Sequence, residues 1–128
     1  METPQIQSED VKAYDGEEIG RQFINFFYTS WANNQDALTE VILHYSKLKY
    51  NNIIYSGNDF INCLKLFASS GIQFTNCRFE LLDSQSRQIY ILVSGQINQT
   101  HFQQSFVLSY AGSKKARQWV VISSLLII

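Results

Sequence analysis

The chain has 128 residues, of which 45% are apolar and only 16% charged, and its formal net charge is -1. That length suits one domain with one core, large enough to hold together without a disulfide or metal staple. The balanced charge gives no global field toward nucleic acid or anionic membrane, and no apolar run approaches the ~18 residues of a membrane span.

The charged share lies below the roughly 25% usual for a soluble domain, and Asn, Gln and Ser fill the gap. With 9 Phe and 7 Tyr as well, a small domain of this make-up is expected to hide part of its surface against a partner. Cys63 and Cys77 have no CxxC spacing, and with two His the chain carries no zinc signature. The cysteines read as small buried hydrophobes of a reducing compartment. No cofactor is expected. The opening METPQIQSED is polar and acidic, unlike a signal peptide.

Residues 1–8 read as a flexible N-terminal end, and 9–128 as the domain. Ser8 can cap a first helix, with Glu9 and Asp10 favourable in its first turn. Val11, Tyr14, Ile19, Phe23, Phe26, Phe27 and Trp31 then recur at mostly three- and four-residue steps, one apolar stripe on a long helix. Gly20 inside the stripe weakens it slightly. Asn33 and Asn34 end that helix and can cap a short second one carrying Leu38, Val41 and Ile42. Residues 47–50 and 53–55 read as strands of a hairpin turning at Asn51-Asn52, since Asn tolerates positive φ. Asn58 can cap a third helix with Phe60, Leu64 and Phe67 inward, stopped by Ser69-Ser70-Gly71.

After Gly71 the period changes. Residues 72–83, 88–99, 102–111 and 118–128 are β-rich runs separated by turns at 83–87, 99–101 and 112–116. The predicted fold is therefore α+β, with three helices packed on one face of a curved antiparallel sheet.

Such a sheet should alternate apolar-in and polar-out, and the last strand does not. Trp119, Val121, Leu125 and Ile127 fall on one side by strict alternation. Val120, Ile122, Leu126 and Ile128 fall on the other, and Ser123 and Ser124 are its polar residues. Tyr90 and Leu92 likewise oppose Ile89, Ile91 and Val93 with no polar side. Helices cover one face; the other is expected to be covered by something outside this chain, as in an obligate interface.

The order and spacing of several motifs resemble the nuclear transport factor 2-like family over residues 9–128. IGRQFINFFYTSW at 19–31 looks like the family's first helix, and KYNNIIYSG at 49–57 like its hairpin. VSGQI at 93–97 looks like its mid-sheet glycine, HFQQSFVLSY at 101–110 like its fifth strand, and QWVVISSLLII like its closing strand. Gly95, inside a strand, also suits a bulge or bend. The resemblance implies a cone-shaped domain that pairs through its sheet face.

Within the family, carriers of the GDP form of Ran use a Glu after the hairpin aromatic and acids in the loop after the glycine strand. This chain has Asn51 after Tyr50, and Asn98-Gln99-Thr100-His101 in that loop. The Phe102-x-Gln104-x-Phe106 pattern and the ending Ser124-Leu125-Leu126-Ile127-Ile128 are more similar to small subunits of heterodimeric mRNA-export receptors of the fungal type. Animal relatives carry an arginine where this chain has Ile127. That resemblance implies a partner-binding face at Leu92, Ser105, Val107, Ser123, Leu125 and Ile127. It also implies a larger partner subunit with a homologous domain and contact with nucleoporin phenylalanine-glycine repeats mainly through that partner. The expected location is the nucleus and nuclear pore, with shuttling to the cytoplasm. The small Ser105 and Ser123 favour a heterodimer over a self-pair. The alternatives are a homodimeric Ran carrier and a cavity enzyme.

An enzyme of this fold needs an acid or a His-Asp pair deep between sheet and helices. His44 and His101 fall beside turns, and Asp15, Asp36, Asp59 and Asp83 at element ends, where capping explains them. A non-catalytic chain is expected. Lys114, Lys115 and Arg117, the basic run, are candidates for weak RNA contact.

Overall fold

The computed structural model describes residues 16–67, 72–83, 88–97, 99–111 and 118–128. Helix α1 (Gly16–Asn33) opens with Glu17 and Glu18 in its first turn, where carboxylates complement the helix dipole. Glu17 accepts an ion-paired hydrogen bond from Arg21 one turn on, and Glu18 accepts one from Gln22 at 2.9 Å. Its buried residues are Gly20, Phe23, Ile24, Phe27, Tyr28, Ser30 and Trp31. The expected stripe is therefore right in period but wider: Ile24 and Tyr28 belong to it, while Ile19 and Phe26 are only partly buried. Ser8, Val11 and Tyr14 lie outside the described residues.

The second helix is a 3-10 segment, Gln35–Glu40. Asn34 caps it through its carbonyl, which accepts from Ala37 N at 3.1 Å, and not through its side chain. Strands β1 (Lys47–Tyr50) and β2 (Ile53–Ser56) form the expected hairpin. Asn51 and Asn52 have φ of 53° and 65°, the two left-handed residues of a type I′ turn. Helix α2 spans Asn58–Lys65, and its N-cap is Gly57 instead of Asn58, with no side-chain cap. The meander follows as β3 (Ile72–Asp83), β4 (Gln88–Ile97), β5 (Thr100–Ala111) and β6 (Gln118–Ile127), and the turn into β5 bends at Gln99 with φ 71°.

The strand order is β2-β1-β6-β5-β4-β3. One expectation fails here. The sheet is mixed and not antiparallel throughout, because β1 runs parallel to β6. Alternation fixes which side chains point inward but not the direction of a neighbour brought in from far along the chain. In the parallel register Leu48 and Tyr50 meet Ser124 and Leu126 on the inner side, which is what burial requires.

Curvature comes from register shifts. β3 carries an extra residue between Phe74 and Asn76, opposite Gly95-Ser94, and another between Leu81 and Asp83. β6 carries one at Ile122, since Val107 pairs with Ser123 but Leu108 pairs with Val121. Each extra residue bends its strand and raises the local twist, so the sheet wraps the helices.

The core is an aromatic wedge. Phe27 packs edge-on to Phe106 with centroids 4.9 Å apart, and Phe23 does the same at 5.3 Å. Tyr28 stacks on Trp31 at 5.8 Å, and the Trp31 indole N–H donates to the Leu64 carbonyl at 2.8 Å, tying α1 to α2. Buried Ser46 is the corner pin. Its hydroxyl donates to the Val121 carbonyl and accepts from Leu43 N, while its carbonyl accepts from Gly57 N at 3.0 Å.

That corner depends on a glycine. Gly57 sits at φ 57°, ψ -121°, and an added Cβ would lie 3.1 Å from His44 Cα and 3.2 Å from His44 O. Gly57→Ala is expected to lower stability by about 1–3 kcal/mol through backbone strain and that crowding. A fall in the urea midpoint at unchanged slope checks it.

Candidate partner interface

Residues paired directly across a sheet share a face, so the register defines the side turned away from the helices. One row runs Arg78–Leu92–Ser105–Leu125–Lys49–Ile54 across all six strands. The next runs Glu80–Tyr90–Val107–Ser123–Lys47–Ser56, and a third pairs Ser94 with Gln103 and Gln103 with Ile127. All six residues expected to bind a partner, Leu92, Ser105, Val107, Ser123, Leu125 and Ile127, therefore stand on this one outer face.

The bulge at Ile122 corrects the alternation of the last strand. Beyond it the sides exchange. Trp119 and Val121 pair with Tyr110 and Leu108 and turn inward with Ser124 and Leu126, whereas Val120, itself fully buried, shares the side of Ser123, Leu125 and Ile127. Strict alternation had placed Trp119 and Val121 with Leu125. Serines at 123 and 124 carry no hydrophobic signal of where the phase slips, so counting along the strand missed it.

The outer face is apolar at mid-sheet. Tyr90, Leu92 and Val107 are half-buried, Leu125 is 40% exposed and Ile127 54%. At its centre Ser105 and Leu125 form one pair and Val107 and Ser123 the next, so small and large side chains alternate as on a checkerboard. Exposed Lys47 and Lys49 border the patch on β1, and exposed Arg78 borders it on β3. None of the three forms an ion pair among the described residues. This basic border escaped the sequence reading, because only the parallel β1–β6 register brings the two lysines beside Ser123 and Leu125. Lys114, Lys115 and Arg117 lie outside the described residues.

The inner side has its own chemistry. The Tyr28 hydroxyl donates to Gln104 Oε1 at 2.7 Å, and Gln104 Nε2 donates to Ser124 Oγ at 3.0 Å. All three groups are buried. A neutral chain of hydrogen bonds thus occupies the space between sheet and helices. A Gln at an inward position between Phe102 and Phe106 was the available signal for it. His44 and His101 are exposed. Cys63 and Cys77 are free thiols, and burial raises both above the ordinary thiol value, which keeps them protonated and poorly nucleophilic. No cluster of three His, Cys, Asp or Glu able to hold a metal occurs among the described residues.

Burial also holds the Tyr28 phenol well above its usual value. The folded state keeps a proton that the unfolded chain gives up near pH 10. Stability is therefore whole below that pH and falls as pH rises past it. Tyr28→Phe is expected to flatten that alkaline fall and to cost about 1–3 kcal/mol at neutral pH, since Gln104 loses its donor. Denaturant titrations at neutral and alkaline pH check both.

No protein-family model matches the sequence, and no curated protein matches it. Solved structures do. Nuclear transport factor 2 from Cryptosporidium parvum superposes with a TM-score of 0.66 at 17% identity, covering 88% of this chain and 94% of that one. Yeast UBP3-associated protein BRE5 gives 0.65 at 14% identity over 87% of this chain and 94% of its own. An NTF-2-like protein of unknown function from Silicibacter pomeroyi gives 0.60 at 11% identity over 99% of both chains. With the three described helices on a curved mixed sheet, the chain has the nuclear transport factor 2-like fold.

Proposed function

We propose that the chain is the non-catalytic small subunit of a heterodimeric nuclear mRNA-export receptor. Its outer sheet face pairs with the homologous domain of a larger subunit. The observation that carries this reading is the apolar mid-sheet patch of Tyr90, Leu92, Val107, Leu125 and Ile127, on the side opposite every described helix. A surface of this kind resembles half of a domain core, the hallmark of obligate pairing. The Phe102-x-Gln104-x-Phe106 motif and the closing Ser124-Leu125-Leu126-Ile127-Ile128 direct the choice within the fold toward the fungal type of export subunit. Nucleoporin repeats would be engaged mainly through the larger subunit, at the nuclear pore.

A neutral Tyr28–Gln104–Ser124 chain in the cone favours binding over catalysis. General acid-base work there would need a group that titrates near the working pH.

Co-expression with the larger subunit of an mRNA-export receptor from the same organism is expected to yield a one-to-one complex. Leu125→Arg is expected to weaken pairing by at least about 2 kcal/mol, some thirtyfold in Kd. The isolated mutant should keep its far-ultraviolet circular dichroism. Co-purification at wild-type yield would overturn the assignment of the face.

The neighbouring role, carriage of Ran in its GDP form, calls for an acidic rim. Asn51 at the hairpin tip and exposed His101 supply no negative charge. Calorimetry at tens of micromolar is expected to detect no binding of GDP-bound Ran, since the charged pairs that give such interfaces several kcal/mol are missing. Saturable binding would instead favour the carrier.

A further inference from the structure

Beyond the pairing of the outer face, we infer that the open edge of β2 takes up an extended peptide segment of a partner as a further strand, with an aliphatic residue beside Ile54 and a carboxylate beside Ser56. The hairpin sets the phase of that edge. Tyr50 and Ile53 flank its two-residue turn and face each other through their backbone hydrogen-bonding groups, as the closing pair of such a turn does. The alternation of an antiparallel ladder then turns the N–H and C=O groups of Ile53 and Tyr55 toward β1, and those of Ile54 and Ser56 away from it. The bond from Gly57 N to Ser46 O at 3.0 Å continues the inward series in the same phase. β2 ends the sheet on that side, and neither Ile54 nor Ser56 makes an outward backbone hydrogen bond among the described residues.

The two edges of the sheet differ. β3 carries register shifts, the charged Arg78 and Glu80, and α1 packed alongside. Such devices keep an edge from pairing with stray strands. β2 pairs without a shift and has no charge and no proline. Ile53 and Ile54, which point to opposite faces, are 53% and 62% exposed. An edge of this kind is a template for another strand. Its unpaired groups recognise backbone, so the occupant is an extended segment and not a helix. The rows set its side chains. A residue opposite Ile54 prolongs the row Leu125–Lys49–Ile54, where an aliphatic side chain covers the exposed isoleucine. A residue opposite Ser56 prolongs the row Ser123–Lys47–Ser56. It stands two strand spacings from Lys47, roughly 10 Å, with only a serine between, so a Glu there and the extended lysine can meet. A second copy's β2, Ile53–Ser56, would bring no carboxylate to that place. The segment can run on past Ser56, because a cleft of about 290 Å³ lined by Ile42, Leu43, His44, Ser56, Gly57 and Asn58 lies there.

The probe is the peptide acetyl-Ser-Thr-Glu-Thr-Val-Thr-Ser-amide, which in antiparallel register sets its Val opposite Ile54 and its Glu opposite Ser56. Added to the isotope-labelled full chain, it is expected to shift the amide resonances of Ile54 and Ser56 saturably. N-methylation of the peptide's Glu and Val, whose N–H groups face β2 in that register, should abolish the shifts. N-methylation of its Thr residues, whose N–H groups point away, should leave them. Replacing the peptide's Glu by Lys should weaken binding about threefold, the scale of exposed charge pairs.

Ile54→Pro, at an edge position whose N–H makes no bond within the sheet, should keep the circular dichroism of the wild type and lose the peptide. If that variant does not fold, the two methylated peptides decide. Equal shifts from both would overturn the inference, as would shifts centred on Leu92 and Leu125, or no shift up to millimolar peptide. Concentration-dependent shifts of Ile54 and Ser56 without peptide would assign the edge to a second copy and overturn it as well. None of these outcomes depends on which protein covers the outer face, so the edge site and the export reading stand or fall separately.

Discussion

Everything in this molecule turns on the aromatic wedge that α1 drives into the hollow of the sheet. Phe23, Phe27 and Tyr28 meet Phe102 or Phe106 with ring centroids between 4.9 and 6.3 Å apart, and Trp31 stacks on Tyr28. Burying each such side chain is worth about 1.5–3 kcal/mol, and each ring pair adds about 0.5–1.5. The wedge fits only a curved sheet, hence the bulges in β3 and at Ile122. It also takes up the helices: α1 and α2 are tied together by Trp31 and Leu64 on the inner side.

The outer face is what this arrangement leaves over. A sheet with one helical layer would ordinarily present polar side chains to water. Here its centre is Tyr90, Leu92, Val107, Leu125 and Ile127, with small serines between. The interior is filled by rings and a satisfied Tyr28–Gln104–Ser124 chain, and the outer face offers apolar contact bordered by Lys47 and Lys49 on β1 and by Arg78 and Glu80 on β3.

Local signals carried most of the fold. The Asn51-Asn52 turn, the three- and four-residue steps from Phe23 to Trp31, and the four β runs after Gly71 all appear close to where periodicity puts them. What alternation could not supply was long-range geometry. The β1–β6 pairing joins segments some seventy residues apart, and its parallel sense leaves no trace in either strand. The phase slip at Ile122 hides behind two serines that suit either face. The apolar character of the outer face was legible because Leu125 and Ile127 break the polar-out rule. Its charged border was not, since Lys47 and Lys49 become neighbours of that patch only in three dimensions. Asn58 lost the capping role to Gly57 because the backbone there must take a conformation that favours glycine.

The central claim is that the outer face is covered by another chain in the cell. Its most direct test is photocrosslinking in living cells with Val107 replaced by benzoylphenylalanine, against a control at exposed Gln22 on α1. The account predicts one discrete adduct to a larger, different protein from position 107 and none from position 22. No adduct at position 107, or one with the mass of two copies of this chain, would contradict it.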